Sequence, residues 1–152
     1  METLFKLSSL AVLPFWALMI FLPRWRVTKR LMSSALVCAA PAALYAALVI
    51  PRFAEVWQAV SSPELSGIAA LLGSPVGATI AWLHFLAFDL FVGRWIYLDG
   101  RERGVSGRVM APVLFLTLML GPCGFLLYLI VRRTRGYLQA SENVITVSTG
   151  SK

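Results

Sequence analysis

The stretch VGATIAWLHFLAFDLFVGRWIYLD, which runs from Val76 to Asp99, decides the fold of this chain. Its apolar part ends at Leu98 and is long enough to cross a bilayer, since about 20 helical residues span a hydrocarbon core of roughly 30 Å. The stretch also carries ionisable residues, namely His84, Asp89, Arg94 and the terminal Asp99. Ionisable groups at membrane depth are costly and usually functional, so the stretch predicts both a membrane protein and the place of its site.

The composition of the whole chain agrees with a membrane location. Of the 152 residues, 59% are hydrophobic, and the mean hydropathy is +0.77. A soluble domain of this size could not bury so much apolar surface, so the lipid bilayer is the expected partner. The net charge of +7 comes from short basic clusters that flank apolar runs, which is typical of contact with lipid headgroups. No groove-reading motif accompanies these clusters, so nucleic acid is not an expected partner.

Four apolar segments predict an all-α, polytopic membrane protein, because only helices satisfy their backbone locally in lipid. A short interfacial helix, Pro63–Leu72, is predicted before the third span, since Ser62 and Pro63 form a typical helix start. Residues 1–135 then form a four-helix transmembrane domain, and residues 136–152 form a flexible polar tail. An even number of spans puts both termini on one face and divides the basic residues almost evenly between the faces. The four predicted spans are Thr3–Leu22, Leu31–Ile50, Val76–Leu98 and Val109–Val131.

The ionisable residues of the third span cannot all share one helix face, because residues five apart are separated by about 140°. Asp89 is open to two interpretations: a structural ion pair or interhelical hydrogen bond, or a carboxyl kept protonated by apolar surroundings that donates a proton. His84 is either a packed interhelical histidine or an acid, base or hydrogen-bond donor. Arg94 and Asp99 lie nearer the interface, where we predict a structural ion pair with each other or with the basic loops.

The residue inventory also excludes several kinds of site. The chain has one histidine and two cysteines without metal-ligand spacing, so no metal is predicted and no cofactor is required. A di-iron oxygenase and a haem carrier with two histidine ligands are excluded for the same reason. An aromatic stripe of Phe88, Phe91 and Trp95 accompanies His84 at helical spacing, and Gly93 would let a flat ligand approach. These residues predict a site for a hydrophobic ligand that carries a few oxygens.

Three stretches resemble one known family. They are LPFWALMIFLPRW from Leu13, WLHFLAFDLFVGRWIYLDGRERG from Trp82, and APVLFLTLMLGPCGFLLYLIVR from Ala111. Together they are similar to the abscisic-acid-deficiency family, the neoxanthin-synthase-like membrane proteins of plants, algae and bacteria. Plant members also carry a plastid transit peptide, whereas this chain begins at the first span. The resemblance therefore implies a bacterial inner-membrane protein or the mature form of a plastid membrane protein.

The resemblance implies that the ligand is a carotenoid or another polyene. In that family an epoxycarotenoid such as violaxanthin is converted to an allenic carotenoid without redox change, which needs an acid and a base. From residue type and depth, Asp89 in its protonated form is the candidate acid, and His84 is either the base or the group that orients it. The alternative is a non-catalytic carotenoid- or isoprenoid-binding or assembly protein of the membrane, and a homo-oligomer is left open. The predicted substrate-binding residues are Trp16, Phe88, Phe91, Gly93, Trp95 and Tyr97.

Overall fold

The computed structural model describes residues 1–134, and all the regular elements in that part of the chain are helices. Two 3₁₀ turns, Ala35–Cys38 and Ile50–Arg52, precede the third and fourth α-helices. The predicted polar tail, residues 136–152, lies outside the described residues. The α-helices are α1 (Glu2–Phe21), α2 (Arg26–Ser33), α3 (Ala39–Val49), α4 (Phe53–Ser61), α5 (Leu65–Gly73), α6 (Pro75–Glu102), α7 (Gly107–Met119) and α8 (residues 121–134).

Three helical segments in the described chain are long and apolar enough to cross a membrane: α1, Ala35–Ser61 and α6. The first and third predicted spans are confirmed as membrane-length helices by α1 and α6. The second segment starts later than predicted and continues past Ile50. It does so because Pro51 occupies the first turn of a 3₁₀ helix, where its missing N–H is tolerated. The short helix predicted before the third span is confirmed as α5.

The start of the predicted second span is instead α2, a separate amphipathic helix. Its sequence RVTKRLMS buries Thr28 and Met32 and leaves its basic side chains exposed. The Thr28 hydroxyl donates a hydrogen bond of 2.8 Å to the carbonyl of Leu22, which ties α2 to the end of α1. Basic residues at this spacing favour the membrane surface, and α2 is therefore not part of a crossing.

Helix α6 is the centre of the bundle, because it contacts α1, α3, α5 and α7. One close contact fixes α1 against it. The Trp16 side chain is only 1% exposed and covers Gly93, where an added Cβ would overlap the indole ring. Near the start of α6, Trp82 Nε1 donates a hydrogen bond of 2.7 Å to Ser9 Oγ. The two helices therefore run parallel, with the start of α1 beside the start of α6.

The predicted fourth span, Val109–Val131, is not one crossing but two short helices that fold back on each other. Helix α7 has 13 residues, which makes it about 20 Å long, less than the roughly 30 Å of hydrocarbon. The chain bends at Leu120, where Pro122 has no N–H to donate to the Leu118 carbonyl. Helix α8 then packs back along α7, with the Gly124 backbone against Thr117.

The outer ends of this hairpin meet the same end of α6. An added Cβ on Gly100 would lie 2.7 Å from Met110 Cε of α7 and 3.6 Å from Tyr128 Cε2 of α8. Both helices therefore begin or end at the same side of the bundle, and α7 and α8 form a re-entrant hairpin. The sequence predicted a single span here because hydropathy measures only how apolar a segment is. A segment that enters and leaves the membrane on one side can be as apolar as one that crosses.

This arrangement concentrates positive charge at one side, which we call the basic end. It comprises the α1–α2 turn, α2, the α6–α7 loop with the helix ends that flank it, and the outer end of α8. Within residues 1–134, only Lys6, Arg52 and Arg94 lie outside it. The nearly even division expected for four spans is therefore replaced by a strong asymmetry. The basic residues of this end are Arg24, Arg26, Lys29, Arg30, Arg101, Arg103, Arg108, Arg132 and Arg133.

Candidate functional site

The hairpin tip, Leu120–Pro122, lies against the carboxyl of Asp89 in the middle of α6. The two are so close that an added Cβ on Gly121 would overlap Asp89 Oδ1. The carboxyl is half-buried and has no hydrogen bond to any residue between 1 and 134. Bent backbone at membrane depth is tolerated only where protein covers it or where it lines a wet cavity. Among the described residues, Asp89 is thus a carboxyl without a hydrogen-bond partner, and it lies beside a broken helix.

His84 lies on a different side of α6, toward α3. Its ring stacks on Phe88 with centroids 4.7 Å apart and tilts against Tyr45 at 5.6 Å. No hydrogen bond or ion pair within the described chain joins His84 to Asp89, although the two are close enough to interact electrostatically. The divergence expected from their five-residue spacing is therefore present in the structure. Tyr45 is a neighbour of His84 that sequence reasoning missed, because nothing local relates α3 to α6.

An apolar groove runs along the His84 side of α6. The side chains of Phe88 and Phe91 are 59% and 50% exposed. Together with Ala87, and with Cys38 and Ala42 from the segment that includes α3, they line a cavity of about 280 Å³. Phe88 and Phe91 of the aromatic stripe predicted for α6 therefore lie on an open surface, and an elongated apolar molecule could contact them from the bilayer.

Three of the predicted substrate-binding residues instead make contacts within the protein. Trp16 and Gly93 fill each other's space, so the expectation that a flat ligand approaches Gly93 is corrected. Tyr97 is 2% exposed. Its hydroxyl donates to the Pro23 carbonyl at 2.7 Å and accepts a hydrogen bond from Arg101 at 2.9 Å. These residues fix the position of α1 and of the α1–α2 turn relative to α6.

A second polar cluster surrounds Asp99 near the end of α6. Its carboxylate accepts a hydrogen bond of 2.7 Å from Arg103 Nε and another from the Tyr128 hydroxyl. Arg132 Nε lies 3.1 Å from the same oxygen, and its guanidinium sits 5.5 Å from the centre of the Trp95 ring. The bond to Asp99 raises the pKa of the Arg103 guanidinium, which stays charged. The half-buried Trp95 therefore packs within this cluster.

The predicted ion pair between Arg94 and Asp99 is not formed. Arg94 donates a hydrogen bond of 3.1 Å to the Ser33 carbonyl, and its Nε is buried without a hydrogen-bond partner in the described chain. The two residues are five apart on α6 and so point to different sides. Asp99 instead pairs with Arg103, a basic residue at the start of the following loop, which was the second predicted arrangement. The i, i+4 spacing to Arg103 signals this pairing in the sequence, whereas Tyr128 and Arg132 reach Asp99 only because of the hairpin.

Fold and site define an all-helical, multi-pass membrane protein that has a re-entrant hairpin and a mid-membrane carboxyl at its tip. The model of the family described as ABA DEFICIENT 4-like matches residues 3–128, and this chain belongs to that family. The chain is 35% identical over 113 residues to the Protein ABA DEFICIENT 4, chloroplastic, of Arabidopsis thaliana. That match covers 70% of this chain and 51% of the relative, so the chain spans about half the relative's length. No solved structure matches this chain.

Proposed function

We propose that this protein acts on a carotenoid in a membrane and isomerises an epoxycarotenoid, similar to violaxanthin, to an allenic product. Membership in the ABA DEFICIENT 4-like family supports a carotenoid-related role. The observation that carries the catalytic proposal is the Asp89 carboxyl, which lies at the hairpin tip without a hydrogen bond to a described residue. The Arabidopsis relative is named as chloroplastic, and we place this protein in a plastid membrane. The comparisons do not support the alternative of a bacterial inner membrane.

In the proposed reaction the protonated Asp89 gives its proton to the epoxide oxygen. The bond between that oxygen and the ring carbon next to the polyene breaks, and the oxygen remains on the other ring carbon as a hydroxyl. His84 removes a proton from the adjacent polyene carbon, and the electrons of that C–H bond form the second double bond of the allene. Return of the proton from His84 to Asp89 restores the enzyme. Atoms and electrons balance without an oxidant or a cofactor.

The apolar groove beside Phe88 and Phe91 is the proposed seat of the polyene, because an open aromatic surface suits a long apolar chain. His84 is on the groove side of α6, and Asp89 is on the hairpin side. The oxygen-bearing ring of the substrate would therefore cross the surface of α6 between the two residues. Exposure of the groove to lipid gives a hydrophobic substrate direct entry from the bilayer.

A second candidate function is a non-catalytic carotenoid-binding or assembly protein. One observation favours the binding function. The groove is open, and His84 and Asp89 lie on different sides of α6. A binder needs the apolar groove but no proton transfer. The two functions therefore differ in what the loss of a proton donor should do.

Replacement of Asp89 by asparagine separates them. Asp89→Asn keeps the size and much of the hydrogen bonding of a neutral carboxyl but cannot donate an acidic proton. In a host that makes violaxanthin, we expect it to lower conversion by about 100-fold or more, with pigment still co-purifying. The matched control is Glu102→Gln, which neutralises an exposed carboxylate at the end of the same helix. Chromatography of the pigments is the measurement. Conversion at the parent rate by Asp89→Asn would overturn the acid assignment and leave the binding function.

His84 is tested with two substitutions. His84→Phe preserves an aromatic ring for stacking on Phe88 and Tyr45 but removes proton transfer, whereas His84→Ala removes both. If His84 is the base, both variants lose conversion by a similar factor, about 100-fold or more. If His84 only packs, His84→Phe retains conversion and His84→Ala loses folded protein.

A further inference from the structure

A polar cavity lies at the basic end, between the α1–α2 turn and the α6–α7 loop. Its volume is about 290 Å³, and its lining includes Arg24, Tyr97, Arg101 and Ser106. None of the described residues that line it is acidic. The cavity is distant from the hairpin tip and from the apolar groove, and the proposed isomerisation does not use it.

The side chains around the cavity present hydrogen-bond donors that no acceptor in residues 1–134 engages. Arg101 uses one terminal nitrogen, Nη1, to bond the Pro23 carbonyl at 3.2 Å and the Tyr97 hydroxyl at 2.9 Å. This leaves its other N–H groups available, because a guanidinium has five donors. Arg24 has no hydrogen bond or ion pair within residues 1–134, and the Ser106 hydroxyl makes no cap bond to α7. Arg101 is thus held in place on one side and presents donors on the other.

We propose that this cavity binds a tetrahedral oxyanion, a phosphate or sulfate group, that is either the headgroup of an anionic lipid or a free ion. Two guanidinium groups and a hydroxyl around one space match such a group, since arginine forms paired, charge-assisted hydrogen bonds to phosphate oxygens. The cavity lies where two membrane-length helices, α1 and α6, end, and lipid headgroups are found at such helix ends. Bound there, the oxyanion bridges the α1–α2 turn to the α6–α7 loop and stabilises the base of the hairpin.

The test measures thermal unfolding of the full chain, purified in a neutral detergent, while one ligand at a time is added. The ligands are phosphatidylglycerol, phosphatidylcholine and inorganic phosphate. The cavity variants are Arg24→Gln and Arg24→Gln/Arg101→Gln. The matched control is Arg26→Gln/Arg108→Gln, which removes two exposed arginines from the same end but not from the cavity lining. Arg24→Gln alone keeps the Arg101 contacts, so the test does not depend on the double variant being folded.

Phosphatidylglycerol is expected to raise the unfolding temperature of the parent and of the control, whereas phosphatidylcholine leaves both unchanged. Arg24→Gln should raise the half-saturating concentration about tenfold, the usual effect of losing one charge-assisted contact. Stabilisation by phosphatidylglycerol alone identifies a lipid headgroup, and equal stabilisation by inorganic phosphate identifies a free ion. The proposal is overturned if neither anion stabilises the parent, or if the control loses as much as the cavity variants.

Discussion

Tyr128 of α8 donates a hydrogen bond to the Asp99 carboxylate of α6, although 29 residues separate the two in the chain. This contact places the outer end of α8 beside the end of α6 that leads into the α6–α7 loop. A helix that crossed the membrane after that loop would carry Tyr128 toward the opposite side. The hydrogen bond therefore marks α7 and α8 as a re-entrant hairpin, and three other helical segments of the described chain are long and apolar enough to cross a membrane.

The hairpin makes a direct prediction about topology. In a background with Cys38→Ala and Cys123→Ala, single cysteines at Ser62, Ser106 and Thr134 should react differently with a membrane-impermeant maleimide. We expect Ser106→Cys and Thr134→Cys to be labelled from one side and Ser62→Cys from the other. When the chain is expressed in bacterial cells, the basic end should face the cytoplasm. Labelling of Thr134→Cys from the same side as Ser62→Cys would instead establish four crossings.

The bond between Tyr128 and Asp99 should stabilise the fold. Tyr128→Phe removes one hydrogen bond to a charged acceptor and is expected to lower the free energy of unfolding by about 1.5–3 kcal/mol. Tyr45→Phe is the matched control, because the Tyr45 side chain makes a ring contact with His84 and no hydrogen bond within the described residues. Unfolding of both variants in detergent provides the comparison. Both variants keep the aromatic ring and lose only the hydroxyl. Equal destabilisation would therefore show that the hydrogen bond to Asp99 contributes no measurable stability.

The contact between Trp16 and Gly93 predicts intolerance of a single methyl group. Gly93→Ala should destabilise the protein by about 1–3 kcal/mol, since the added Cβ overpacks the interface of α1 and α6. Gly67→Ala is the control, because no atom lies within 4 Å of its added Cβ. Alanine is also the better helix former, so that variant should be neutral or slightly more stable. A double variant with Trp16→Phe should be less destabilised than the sum of its single changes, and strict additivity would argue against the contact.

Gly121 should control the position of the Asp89 carboxyl. In Gly121→Ala the added Cβ overlaps that carboxyl and forces it to turn away from the hairpin tip. If Asp89 is the acid, we expect conversion to fall by about tenfold or more. Adding Asp89→Ala to the same background relieves the overlap and should restore thermal stability without restoring conversion. Normal conversion by Gly121→Ala would mean that the carboxyl needs no fixed position there.

Much of the fold can be predicted from local patterns in the sequence. The apolar lengths of α1 and α6 exceed what crossing requires, and a hydrocarbon solvent leaves helix as the only local solution for the backbone. The short helix before α6 and the pairing of Asp99 with a basic loop also depend on neighbours close in sequence. Likewise, the divergence of His84 and Asp89 follows from helical geometry alone.

The sequence by itself thus determined a helical membrane protein with α6 as its central, ionisable helix, because length, hydropathy and helical spacing are properties of a segment. Only the tertiary structure decided that the last apolar segment folds back at Leu120, and that its tip meets Asp89. It also decided that Trp16 fills the space over Gly93 and that Tyr128 reaches Asp99. Each of these depends on contacts between residues far apart in the chain. A crossing helix and a re-entrant pair can share the same composition, so the contacts with α6, and not hydropathy, distinguish them.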